Sequence, residues 1–130
     1  MKYELEHDGE NGYMDASRDE LAEAIVGHKI VNIHRGTMNY ENRLILELDN
    51  GRKVIMRDTD DCCAYTQLNH FLVNVEKIDH VITGVGTEGD FSTWHIFADF
   101  GDVLQLDVSW SAGSGYYGYG FYITVEDPNE

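Results

Sequence analysis

Proline and positive charge are both scarce in this chain. A single proline, Pro128, occurs in 130 residues, and nine lysines and arginines face 24 aspartates and glutamates, leaving a formal net charge of −15. A field of that sign repels nucleic acid and anionic lipid, so neither is expected as a partner. A basic protein partner, cations, or solubility alone are all compatible with it. No apolar run approaches the roughly 20 residues of a membrane span. The opening Met-Lys-Tyr-Glu-Leu-Glu-His-Asp has no apolar stretch of the kind a secretory signal needs. The only cysteines, Cys62 and Cys63, are adjacent. That excludes a disulfide framework and makes a reducing, cytoplasmic setting the default expectation.

Catalytic motifs are lacking as well. The glycine-rich stretch near the C-terminus has no lysine and serine or threonine after its last glycine and leads into a strand, so it is no phosphate loop. It also lacks the strand before and helix after that a dinucleotide fingerprint requires. Asp58, Asp60 and Asp61 cluster, but with neither the central glycine nor the distal glutamate of a calcium loop. Among 24 acidic residues no carboxylate pair stands out as hydrolytic. The six histidines are scattered and read as surface or core polar residues, and no serine sits in a nucleophile elbow. Vicinal thiols on an extended chain point to opposite faces. A structural zinc site needs four ligands at recognisable spacings, and bonding Cys62 to Cys63 needs a strained geometry. They therefore read as one buried thiol and one beside a loop, with no metal and no cofactor expected.

What is present describes one domain over residues 1–130, with 42% hydrophobic residues and enough length for its own core. Residues 1–16 form a polar segment with an edge strand over Lys2–His7. Ser17 to Glu20 reads as a capping box that starts a short helix, with Leu21 and Ile25 on one face and Gly27 as its left-handed stop. Strand patterns follow over His28–His34, Arg43–Leu48 and Arg52–Arg57, the last two joined by the turn Asp49-Asn50-Gly51. Leu68, Phe71, Leu72 and Val75 fit helical spacing, so Ala64–Val75 reads as a second short helix. Val81–Val85 reads as a strand, Thr87–Asp90 as a loop, and a second hairpin turns at Asp99-Phe100-Gly101-Asp102. A shift of about fifty residues lays Leu44 on Trp94 and Leu46 on Ile96, the mark of two similar strand–hairpin units. Residues 127–130 read as a fraying acidic tail. The expected fold is α+β: a mainly antiparallel sheet of about six to eight strands in two hairpin units, with one or two short helices.

The aromatic residues carry the functional signal. From Tyr117, alternation places Tyr119, Phe121, Ile123 and Val125 on one core-facing side, with Gly118, Gly120, Tyr122 and Thr124 on the other. Two glycines on one face let something approach the backbone. Tyrosine beside glycine and serine is the composition of recognition loops, which makes Gly115, Tyr116, Tyr117 and Tyr122 candidates for binding.

The order of these segments resembles that of a known family. In that family an early helix ends in a glycine followed by a strand, as in Val26-Gly27-His28-Lys29-Ile30. An acidic residue and paired cysteines follow the first hairpin, as in Asp61-Cys62-Cys63, and a Gly-Tyr-Tyr-Gly segment lies near the C-terminus, as in Gly115–Gly118. The chain resembles a family of small proteins found mainly in bacteriophages of actinobacteria and related hosts, over roughly residues 20 to 125. It departs from the family at Ala64 and Ser114, where members often have serine and asparagine. The resemblance implies no catalytic activity. It implies a phage-encoded accessory protein in the host cytoplasm. With the acidic charge, it leads to the expectation of a non-enzymatic module that binds a host protein, a basic one being one variant. The alternative is a small-molecule or metal-binding protein that uses Asp61, Cys62 and Cys63.

Overall fold

A computed structural model describes residues 13–38, 41–99, 101–113 and 118–128. Helix α1 spans Met14–Ile25. Nine strands follow: β1 (Ile30–Met38), β2 (Glu41–Leu48), β3 (Lys53–Arg57), β4 (Thr59–Asp60), β5 (Ala64–Val73), β6 (Gly84–Glu88), β7 (Thr93–Ala98), β8 (Gly101–Ala112) and β9 (Tyr122–Glu126). They form two sheets, ordered β1-β2-β3-β9 and β4-β5-β8-β7-β6, and every pairing is antiparallel. The α+β, mainly antiparallel expectation holds, with nine strands in place of six to eight and one helix among the described residues.

Alternation explains how the sheets meet. Leu44, Leu46, Val54, Met56 and Ile123 of the first sheet and Trp94, Ile96, Leu104, Leu106 and Val108 of the second are buried in one apolar core. Trp94 meets Phe121 edge-on, with ring centroids 5.2 Å apart. Both expected hairpins are present. β1-β2-β3 and β6-β7-β8 each run as a three-stranded meander, with Leu44 and Leu46 in one and Trp94 and Ile96 in the other, all buried.

Three expectations need correction. Helix α1 begins at Met14 rather than Ser17, and Tyr13, its N-cap, offers no side-chain hydrogen bond. Ser17 lies a turn inside and is buried, because Met14, Ser17, Arg18, Leu21 and Ile25 form the stripe that packs inward. Gly27 does have the positive φ of a helix stop, at 90°, but its amide donates to Ile82 rather than back into the helix. Ala64–Val73 is a strand, not a helix. A bulge between Leu68 and His70 inserts one residue into the alternation. The step from buried Leu68 to half-buried Phe71 therefore has a helix-like spacing of three. The strand expected over Val81–Val85 lies at Gly84–Glu88, and Thr87, read as loop, is buried in it. The Lys2–His7 strand lies outside the described residues. Asp127 forms an ion pair with Arg52 at 2.8 Å.

The turn between β6 and β7 is unusual. Gly89, Asp90 and Phe91 all have positive φ, at 63°, 57° and 61°, a region costly for a phenylalanine. Both tryptophans of the chain hold it in place. The Trp94 indole donates to the Phe91 carbonyl at 2.9 Å and the Trp110 indole to the Asp90 carbonyl at 2.7 Å.

Candidate functional site

The site is built where β3 passes into the second sheet. After Arg57 the chain crosses through Asp58 into the two-residue β4 and turns at Asp61-Cys62-Cys63 into β5. Asp61 organises the turn: its carboxylate accepts the amides of Cys63 at 2.8 Å and Ala64 at 3.1 Å, the local bonding by which aspartate bends a chain. The Cys63 carbonyl is fixed in turn by the amide of Gly113.

This bend changes the reading of the cysteines. They do not lie on an extended strand with side chains on opposite faces; the turn brings them together and they are joined as a disulfide. No free cysteine remains. One donor atom from each of Asp61, Cys62 and Cys63 lies within 4.8 Å of the others. Metal ligation requires thiolate, so this set becomes a potential ligand group only when the bond is reduced to two thiols.

The segment after Gly118 is laid across this turn. Tyr119 was expected in the core; instead it is half-buried, and its hydroxyl donates to Asp61 at 2.6 Å. The reason is that regular alternation begins only at Tyr122, with residues 118–121 following an irregular path. That hydrogen bond, reinforced by the Cys63 amide, holds the Asp61 carboxyl below the usual aspartate range. Thr59 donates to the Gly120 carbonyl at 2.7 Å, and the Gly120 amide donates to Thr66 at 3.1 Å. The inference of close approach at the two glycines holds. A Cβ on Gly118 would lie 2.7 Å from the Trp110 ring, and one on Gly120, where φ is 73°, would lie 2.3 Å from the Ser17 Cβ.

Two grooves flank Tyr119, each of about 310 Å³. One is lined by Arg57, Asp58, Thr59, Asp60, Tyr119 and Tyr122. The other lies along the start of α1, between Tyr13, Glu20 and Phe121. Tyr122 is 57% exposed, and the Arg57 guanidinium carbon sits 5.7 Å from its ring centroid. Asp58 gives its carboxylate to the Leu68 amide at 3.1 Å. Its burial raises the carboxyl above the ordinary range, although that amide, Asn42 and Arg35 pull the other way.

Of the residues singled out from sequence, Asp61, Cys62 and Cys63 in the turn and Tyr122 across the groove are thus gathered about Tyr119. Gly115, Tyr116 and Tyr117 lie outside the described residues. Sequence reasoning missed Tyr119 and Arg57, since neither belongs to a motif. It also missed a second polar cluster. His95 is buried, with Nδ1 2.8 Å from Asp102 and Nε2 3.0 Å from Glu88. The two carboxylates come from the strands on either side of β7.

Among the described residues the molecule is an antiparallel two-sheet protein with one helix packed on its core and grooves on both sides of Tyr119. No helix among the described residues is long and apolar enough to cross a membrane. The chain belongs to a family defined as a domain of unknown function, DUF7448, whose sequence profile matches residues 23–123. No curated protein and no solved structure matches it.

Proposed function

We propose that this protein is a non-enzymatic binding module, a phage-encoded accessory protein that engages a basic host protein in the bacterial cytoplasm. The observation that carries the reading is the meeting of Tyr119 and Asp61. Their hydrogen bond fixes an aromatic ring and a carboxylate on one rim, beside exposed Tyr122 and Asp60. Tyrosines offer large contact area at low entropy cost, and the lowered pKa of Asp61 keeps its carboxylate charged for a lysine or arginine of a partner. The overall charge of −15 steers such a partner in.

The test is capture from bacterial lysate with the wild type and with a Tyr122→Ala, Asp60→Asn double variant. A basic protein should be retained at low and moderate salt by the wild type and lost with the variant. Identical sets of retained proteins for the two baits would remove this reading.

The proximity of Asp61, Cys62 and Cys63 favours a second reading, a metal site formed after a dithiol reductant supplies two electrons and two protons to the disulfide. Elemental analysis of reduced protein equilibrated with zinc tests it. Stoichiometric metal in the wild type and none in Asp61→Ala is the supporting result. Absence of bound zinc in the reduced wild type excludes it.

A further inference from the structure

A disulfide between neighbours in sequence ties no two parts of the fold together. Cys62 and Cys63 are joined, yet the bond encloses no length of chain. It therefore lacks the loop-closure effect by which a disulfide restrains the unfolded state, an effect that grows with the loop. The turn around it is held by other means. The Asp61 carboxylate takes the Cys63 and Ala64 amides. The Asp61 amide donates to the Ala64 carbonyl at 3.1 Å, and the Gly113 amide donates to the Cys63 carbonyl at 2.8 Å. None of these bonds involves sulfur.

The disulfide is also within reach of solvent, with Cys62 exposed and Cys63 half-buried. An exposed disulfide with no part in stapling the fold is of the labile kind that exchanges with thiols. The charge around it has one sign. Asp60 and Asp61, both exposed, lead into it, and a carboxylate oxygen of Asp61 lies within 4.8 Å of both sulfurs. The Tyr119 hydroxyl and the Cys63 amide keep that carboxyl ionised. No lysine or arginine occurs between Arg57 and Lys77.

We propose that Cys62–Cys63 is a thiol–disulfide exchange site whose substrates are dithiols of neutral or positive charge, with anionic thiols disfavoured. One thiolate of the dithiol attacks the sulfur of Cys62, the more exposed of the pair. The Cys62–Cys63 bond breaks, and Cys63 leaves as a thiolate and takes a proton from water. The second thiolate of the substrate then attacks the substrate's own sulfur in the mixed disulfide. The substrate closes into a disulfide, and Cys62 is released and protonated in turn. The protein gains two electrons and two protons, and the dithiol loses them. An attacking thiolate is itself negative, so a further negative charge on its carrier adds repulsion and a positive one offsets it. The site requires neither a protein partner nor a metal.

The experiment measures how fast the intact, folded protein loses its disulfide to small monothiols of graded charge: cysteamine, mercaptoethanol and thioglycolate. Alkylation and intact mass give the readout. Each rate is taken per thiolate and divided by that thiol's rate with uncharged hydroxyethyl disulfide, which cancels differences in nucleophilicity. At about 0.01 M ionic strength, where the Debye length is about 30 Å, cysteamine should be fastest and thioglycolate slowest, roughly tenfold or more apart. At about 1 M salt the three should converge. Asp61→Asn keeps an acceptor for the Cys63 amide and removes the charge, so it should narrow the low-salt gap. Dithiothreitol, a neutral dithiol, should reduce the protein without changing its amide spectrum outside the turn, and hydroxyethyl disulfide should restore the bond. Equal normalised rates at low salt overturn the substrate class. An unchanged gap in folded Asp61→Asn overturns the part given to that carboxylate. Reduction that occurs only on unfolding, or that itself unfolds the protein, overturns the exchange site. If Asp61→Asn does not fold, the salt dependence of the wild type decides by itself.

Discussion

The hydroxyl of Ser17 satisfies both backbone groups of Phe121: it accepts the amide at 2.9 Å and donates to the carbonyl at 3.0 Å. One side chain of α1 thus replaces the ladder partner that Phe121 lacks just before β9. Ser17→Ala leaves two buried backbone groups unmatched and should cost about 1–3 kcal/mol, measured by denaturant unfolding. Gly120→Ala should cost more. It combines the clash with Ser17 with a positive φ of 73°, a conformation alanine adopts only with strain.

Tyr119→Phe removes the hydroxyl that lowers the Asp61 carboxyl. The Asp61 pKa should rise towards its ordinary value, readable as a carboxyl titration by NMR. The sign for stability follows from the lowered folded pKa. The contribution of Asp61 is fully present above the unfolded value of about 3.9 and is lost as pH falls through the folded value beneath it. Acid unfolding of Tyr119→Phe should therefore show a shallower loss in that window. An unchanged Asp61 titration would mean that the hydrogen bond does not form in solution.

The tryptophans should separate by burial. Trp94 is fully buried, so Trp94→Ala should cost about 3–5 kcal/mol. Trp110→Phe loses the donor to Asp90 and part of the bicyclic ring that lies against Gly118. It should cost less than Trp94→Ala, about 1–2 kcal/mol, and thermal unfolding of both variants checks the order.

Cys62 and Cys63 should resist alkylation in the folded protein and each take one alkyl group after treatment with a dithiol reductant, seen by intact mass. Full labelling without reductant would show that the thiols are free.

Regular periodicity made much of this fold legible. The Asp49-Asn50-Gly51 turn, the buried alternation of Leu44 and Leu46, and that of Trp94 and Ile96 all follow from patterns that local geometry imposes. Errors arose where one residue interrupted a pattern. The bulge after Leu68 turned a strand into an apparent helix. At Tyr119, the positive φ of Gly120 ended the simple alternation expected from Tyr117 onward. Ser17 has the composition of a capping residue, but its partner lies 104 positions away, beyond any local rule. The site was half visible: Asp61, Cys62, Cys63 and Tyr122 were singled out. Their meeting with Tyr119 and Arg57 depends on β9 lying beside β3, which no spacing encodes.

That placement of β9 bears on how the chain acquires its structure during synthesis. The edge of β3 and the inner side of α1 both wait for residues 118–126, the last to be translated among the segments they contact. Until those residues leave the ribosome, Val54 and Met56 stand on an unpaired edge and Met14 and Ser17 lack their cover. Meanwhile β1-β2-β3 can close locally through its tight turn. Pairings so distant in sequence slow folding and lengthen the exposure of apolar edges, so the first sheet stays open on one side until the end of synthesis.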